Sequence, residues 1–243
     1  MQAVLLVGHG SRNKFSNQQF IEFAKKVEVG CRALLFRYAF LELASPSIIE
    51  EIKCCVEKGA KEIIVYPLLL LSAGHAKYDI PDELVKAKQL FPEVDFQLEQ
   101  PLGIQEVLLS ILENRLKEQQ YQKDDHSLVV FVGRGSNDQS AITDFETISG
   151  FLKDRLCTDS IEACFLVGGN TSFEAAIARA KQSNFDHIYV LPYFLFKGVL
   201  LKRIHQFVKS QQDERFTICE PIGTDEDIIH LVSDIIDNAV NKG

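Results

Sequence analysis

Short apolar runs alternate along this chain with stretches whose apolar residues recur at helical spacing. That alternation predicts parallel sheets flanked by helices. The first run, residues 3–7, is continuous and closed by Gly8, the pattern of a strand buried on both faces. A polar loop follows, then a helix for which Ser16 is the expected N-cap. Residues 34–41 predict a second strand. Ser45-Pro46 is expected to open the next helix, with proline at its first position and Glu50 and Glu51 in its early turns. Residues 62–71 predict a third strand, a helix starts near Pro81, and residues 94–98 predict a fourth strand. Ile104, Val107, Leu108, Ile111 and Leu112 then form a helical stripe.

The polar stretch KEQQYQKDDHS interrupts this pattern, after which the same order of strands and helices begins again. Val4-Leu5-Leu6-Val7-Gly8-His9-Gly10-Ser11 reappears 125 residues later as Val129-Val130-Phe131-Val132-Gly133-Arg134-Gly135-Ser136. The same shift lays Ile64-Val65-Tyr66-Pro67-Leu68 on Tyr189-Val190-Leu191-Pro192-Tyr193. Pro101-Leu102-Gly103 and Pro221-Ile222-Gly223 match at a shift of 120, and Ile228, Leu231, Val232, Ile235 and Ile236 give a closing stripe. The expectation is an α/β protein of two similar lobes, residues 1–117 and 128–243, joined by a linker at 118–127. Each lobe is a four-stranded parallel sheet flanked by helices, and the two face one another across a cleft.

Ligands of open α/β sheets bind beyond the carboxyl ends of the strands. His9 directly follows the first strand, Glu42 closes the second and His75 lies past the third, so three potential ligands converge on one edge of one lobe. Two imidazoles and a carboxylate suit a divalent ion such as Fe²⁺, Co²⁺ or Zn²⁺. Gly8, Gly10 and Gly74 flank the histidines and leave room for a bulky ligand. Taken singly, each has a plainer role: a loop histidine that caps a helix, or a carboxylate held by backbone donors. The repeat argues against this, because at the 125-residue shift the three become Arg134, Val167 and Leu200 while glycines, prolines and apolar positions persist.

Arg12, Lys14 and Lys77 in the first lobe, with Arg134, Lys197, Lys202 and Arg203 in the second, cluster near the same loops and suit an anionic ligand. Arg134, whose guanidinium pairs bidentately with a carboxylate, is the leading clamp candidate. His126, His187, His205 and His230 have no partner at ligand spacing. The net charge of -8 argues against nucleic acid or a polybasic membrane anchor. No apolar run approaches the ~20 residues that span a bilayer, and no basic segment with an apolar core precedes residue 3, so the expected location is the cytoplasm. Six cysteines without a CxxC are expected to be free thiols packed as small apolar residues. No GxxxxGK[ST], strand-linked GxGxxG or GxSxG occurs.

At LLVGHGSR (residues 5–12), AFLELASPSI (residues 39–48) and YPLLLLSAGHAKYDIP (residues 66–81), the chain resembles the sirohydrochlorin chelatases, the ATP-independent class. The resemblance covers nearly the whole chain, including a degenerate second half. It implies insertion of Fe²⁺ into sirohydrochlorin, a tetrapyrrole bearing eight carboxylates, to give sirohaem. The metal is a substrate and no organic cofactor is implied. It also implies that His9 and His75 bind the ion and carry protons and that Glu42 holds a histidine or the ion. Arg12, Lys14, Lys77, Arg134 and Lys197 are then the residues expected to meet the carboxylates. Cobalt insertion for cobalamin synthesis is the alternative. Long cobalt members often carry a His-rich tail, and DIIDNAVNKG has none, which favours iron. A non-catalytic tetrapyrrole or metal carrier and a phosphate-ester hydrolase remain open from the residues alone. Two fused lobes make a monomer sufficient.

Overall fold

β1 (Gln2–Gly8) runs through the middle of a sheet, and Ala3 to Val7 are at most 1% exposed because helices cover both faces. The computed structural model describes residues 1–72, 74–123 and 126–241, and at His75 the backbone alone. β1 pairs in parallel with β2 (Phe36–Phe40) and β3 (Glu62–Pro67), and β3 pairs with β4 (Asp95–Leu98). The order β2-β1-β3-β4 has the chain leave β1 in one direction and return across it to β3. The carboxyl ends of β1 and β3 therefore flank a topological switch point, where open α/β sheets take their ligands.

Several element ends differ from the expected ones, each for a local reason. α1 (Lys14–Gly30) is capped by Asn13, whose side chain accepts from the Phe15 N–H, so Ser16 falls inside the first turn. α2 (Ile48–Glu57) starts two residues beyond Pro46, because Ser47 and Glu50 close a reciprocal capping box. Pro46 stays outside the helix, in a cis peptide with Ser45, and its carbonyl accepts from Phe40 N–H at 2.8 Å. β2 begins only at Phe36 because Leu34, 84% exposed, never joins the sheet. β3 stops at Pro67, where Leu69 N–H turns back onto the Pro67 carbonyl at 2.9 Å. A π-helical turn, His75–Asp79, then leads into α3 (Ile80–Leu90), and α4 (Glu106–Glu118) follows β4.

The second sheet repeats the first. β5 (Ser127–Gly133), β6 (Ile161–Phe165), α6 (Phe173–Gln182) and β7 (His187–Pro192) have the bounds of β1, β2, α2 and β3 moved by 125 residues. With α5 (Gln139–Leu156), α7 (Val199–Ser210) and β8 (Phe216–Ile218), they build the order β6-β5-β7-β8. α8 (Glu226–Val240) is the last element. Each second strand is tied to the following helix by an ion pair of opposite polarity: Arg37 to Glu51 in one unit, Glu162 to Arg179 in the other.

On one face of the first sheet, Ala3, Leu5, Val7, Ile63 and Val65 pack with Ile48, Ile52 and Cys55 of α2 and Ile80, Leu84 and Ala87 of α3. The alternate positions point to the face where α1 and α8 lie against each other. In the second sheet Val130, Val132, Ile188 and Val190 pack with α6 and α7. Phe131 stacks on Phe145 of α5 on the opposite face, with ring centroids 4.4 Å apart.

The structure divides the chain at other points than the polar stretch. One unit comprises Met1–Gly103 with Glu226–Gly243, the other Ile104–Asp225. α4 belongs to the second unit, against α5 and β7, and α8 belongs to the first, against α1 and β3. The stretch at 118–127 thus joins α4 to β5 within one unit, and Tyr121 of that stretch packs edge-on against Tyr189 of β7. Asp124 and Asp125 lie outside the described residues. The expected repeat bounds and the compact units differ because α4 and α8 carry matching apolar stripes, so pattern alone assigns neither helix to a sheet. Among the described residues no helix is long and apolar enough to cross a membrane.

If α8 completes the first unit, Ile236→Ala, at a position 1% exposed, should cost about 2–5 kcal/mol in urea unfolding. Native-state hydrogen exchange should place the lost protection in β1 and β3. Loss confined to β5 and β7 would contradict the assignment of α8.

Candidate functional site

The ends of β1 and β2 are laced together past the last ladder pair, Gly8 with Phe40. Leu41 N–H donates to the Gly8 carbonyl at 2.8 Å and Glu42 N–H to the His9 carbonyl at 3.1 Å. The lacing demands glycine. At Gly10, φ is +88°, and a Cβ there would stand 1.8 Å from the Glu42 carbonyl oxygen. At Gly8 a Cβ would press to 2.7 Å from the Phe20 ring, whose helix covers this corner of the sheet. Beyond His9, Ser11 accepts from Asn13 N–H through its hydroxyl and from the Asn17 side chain through its carbonyl, which fixes the loop onto α1.

This backbone sets His9 Nε2 3.7 Å from Glu42 Oε1. The His9 Nδ1–H donates to the Gly10 carbonyl at 3.0 Å; a carbonyl only accepts, so the proton is on Nδ1. In the neutral ring Nε2 then carries the lone pair on the side of the carboxylate. Two donors bound at about 2.1 Å to one first-row ion stand roughly 3.0–3.4 Å apart, so a small rotation would suffice for the pair to share an ion. The side chains are 26% and 46% exposed, which leaves both accessible to an arriving ligand.

His75, the third expected ligand, opens the π-helical turn that follows β3, across the switch point from His9. Its side chain lies outside the described residues, and among those described no group of three or more His, Cys, Asp or Glu gathers. The described donor pair is His9 with Glu42. π-helical turns recur at functional sites, and the second unit has none among its described residues, its α7 starting directly after Gly198.

The second unit keeps the lacing and discards the donors. Leu166 N–H donates to the Gly133 carbonyl at 3.1 Å and Val167 N–H to the Arg134 carbonyl at 2.9 Å. Gly135 has φ +88°, and its Cβ would lie 1.6 Å from the Val167 oxygen. The same frame therefore presents Arg134 and Val167 where the first unit presents His9 and Glu42.

The basic residues divide by context. Arg12, Lys14 and Lys77 are exposed on segments that follow β1 and β3 of the first unit. Arg134 is exposed at the matching edge of the second unit. Lys197 already pairs with Glu220 at 2.7 Å, and Arg203 with Glu174 at 2.6 Å, which weakens both as anion hooks. Lys202 is exposed on α7. The six cysteines are free. Burial pushes the Cys55 thiol up to about 11 and Cys219 to about 12, so both stay protonated and poor ligands at neutral pH. Sequence reasoning missed one neighbour of the donors, Leu43, which has φ +60° and is 51% exposed. The signal was present in Gly168, its partner in the repeat.

The CbiX family model matches this chain twice, over residues 3–119 and 128–239, one match for each repeat. The sirohydrochlorin ferrochelatase of Priestia megaterium is 34% identical over 96% of this chain and 88% of its own length. The sirohydrochlorin cobaltochelatase of the same organism is also 34% identical, over 86% of this chain and 69% of its own. Among solved structures, SirB from Bacillus subtilis with Fe³⁺ superposes with a TM-score of 0.88 at 29% identity. That superposition covers 97% of this chain and 94% of SirB.

Gly10→Ala should lower stability by about 2 kcal/mol or more, because the positive φ and the carbonyl contact both disfavour a side chain. It should also weaken Co²⁺ binding measured by calorimetry, since the donor pair is set by that contact. Gly135→Ala should cost similar stability yet leave Co²⁺ affinity unchanged. Wild-type affinity in Gly10→Ala would show that the donors do not depend on the lacing.

Proposed function

The chain belongs to the CbiX family, and we propose from that premise that it is a sirohydrochlorin ferrochelatase, inserting Fe²⁺ without ATP. The observation that carries the reading is the His9–Glu42 pair, 3.7 Å apart on a frame that the second repeat keeps without its donors. The reaction forms iron bonds to the ring nitrogens and breaks two pyrrolic N–H bonds. It balances with release of two protons and needs no organic cofactor.

His9 Nε2, Glu42 and His75 receive Fe²⁺ and strip part of its water. With Nδ1–H held on the Gly10 carbonyl, the His9 ring keeps one orientation while its lone pair faces the ion. As ring nitrogens replace the protein donors, the freed imidazoles become bases of suitable strength for the departing N–H protons. Glu42 balances the positive charge at that moment. Arg12, Lys14 and Lys77 of the first unit, and Arg134 and Lys197 of the second, pair with the carboxylates of the substrate. Among these Lys197 is the weakest, since Glu220 competes for it. The reading places the protein in the cytoplasm as a monomer, without nucleic acid or membrane as partner, in keeping with its net charge of -8. It also keeps residues 1–117 as the metal-bearing repeat in evolutionary terms, although α4 packs elsewhere.

Cobalt insertion is the second reading, favoured by the 34% identity to a cobaltochelatase. The iron relative aligns over more of both chains, which ranks iron first.

Anaerobic turnover of sirohydrochlorin with Fe²⁺, followed by absorbance at sub-stoichiometric protein, tests this directly. His9→Ala should lower kcat by about 10²–10⁴-fold. Arg134→Ala should raise KM for sirohydrochlorin while sparing KM for Fe²⁺. A wild-type rate equal to the uncatalysed one would reduce the protein to a carrier, and faster turnover with Co²⁺ than Fe²⁺ would reverse the order of metals.

A further inference from the structure

Leu43 stands directly after Glu42 in the left-handed region, at φ +60°, with half its surface open to solvent. The second unit builds the same turn with Gly168 at φ +62°. Both backbones serve the same lacing, so the turn itself asks for glycine, and a leucine there is strained. Burial does not repay that strain, because the side chain is 51% exposed. An apolar side chain held in a disfavoured conformation, exposed beside the donor pair, is explained by something that covers it.

Two further large apolar residues are exposed on the neighbouring segments of the same sheet edge. Phe15, at the start of α1, is 60% exposed, and Tyr78, in the π-helical turn, is 66% exposed. At the 125-residue shift their counterparts are Ser140 and Arg203. The segments that follow β1, β2 and β3 thus each present one exposed apolar side chain; the copy without donors has Ser140, Gly168 and Arg203 at those three positions and exposes instead the shorter Val167 and Val199 on its own segments.

We propose that Leu43 is a substrate-positioning residue whose side chain packs under the flat face of the tetrapyrrole, with Phe15 and Tyr78 extending the same apolar contact. This rests on the chelatase reading above. An ion held by His9 and Glu42 reaches the centre of a macrocycle through the ring's face. The residue adjoining Glu42 therefore meets the apolar conjugated surface, while the carboxylate-bearing periphery meets the basic residues. Leu43 fixes the height and tilt of the ring over the donors; it ligates nothing and transfers no proton.

Equilibrium titration of metal-free sirohydrochlorin against wild type, Leu43→Gly and Leu43→Met tests the assignment without requiring turnover. Leu43→Gly should raise Kd for sirohydrochlorin about tenfold, which corresponds to about 1.4 kcal/mol. Its Tm should be unchanged or higher, since glycine relieves the strain, and its Co²⁺ affinity should equal that of wild type. Leu43→Met, which restores apolar bulk, should return Kd to within about twofold of wild type. In the turnover assay the loss should appear in KM for sirohydrochlorin and not in KM for the metal. A Leu43→Gly Kd within twofold of wild type overturns the inference while leaving the chelatase reading intact. A fall in Tm accompanied by weaker Co²⁺ binding also overturns it, in favour of a structural role. Failure of wild type to bind sirohydrochlorin removes both.

Discussion

Two backbone hydrogen bonds, from Leu41 to Gly8 and from Glu42 to His9, carry the parallel pairing of β1 and β2 beyond the last ladder pair and draw two loops into contact. The contact is closer than any side chain allows, with 1.8 Å available to a Cβ at Gly10. Backbone proximity there is what makes a metal-competent pair from residues far apart in sequence. The Gly10 carbonyl holds the His9 ring and the lacing sets Glu42 beside it, so a half-open surface loop presents a fixed imidazole. Leu43 inherits the same geometry one residue later.

The second unit shows that this lacing is architecture first. It repeats both hydrogen bonds, the positive φ of the second glycine and the loop that caps the following helix, now through Ser136 and Asp138. The repeat thus keeps the backbone frame while the side chains it presents differ. The reversed ion pairs, Arg37–Glu51 and Glu162–Arg179, fit the same rule: the link between strand and helix persists although its charges have changed places.

The last helix gives the site a dependence on the whole chain. α8 packs on α1 and β3, whose partners carry His9 and lead toward His75, so the donor-bearing sheet is covered on both faces only when residues near the C-terminus have docked. Strands as apolar as β1 cannot stand exposed on one face, since each buried leucine or valine contributes about 1.5–3 kcal/mol. The donor-bearing unit is therefore built from both ends of the sequence, and the unit without donors is continuous.

Much of this was legible in the sequence because it rests on local chemistry. Unbroken apolar runs mark strands covered on both faces, and the 125-residue repeat located both sheets and singled out His9, Glu42 and His75 against Arg134, Val167 and Leu200. Helix starts were less legible. Asn13 displaced Ser16, and Ser47 displaced Pro46, because capping depends on which side chain reaches a free N–H once the loop is folded. The exchange of α4 and α8 was not legible at all: two helices with matching stripes satisfy either sheet equally, and only the path of the folded chain chooses. The sequence by itself determined which residues can ligate and which faces must be buried, since those follow from side-chain chemistry and periodicity. Tertiary structure alone decided that His9 and Glu42 stand 3.7 Å apart, that Leu43 is exposed in a strained turn, and which helix covers which sheet. Each of these is a distance between segments remote in sequence, and the packed backbone sets it.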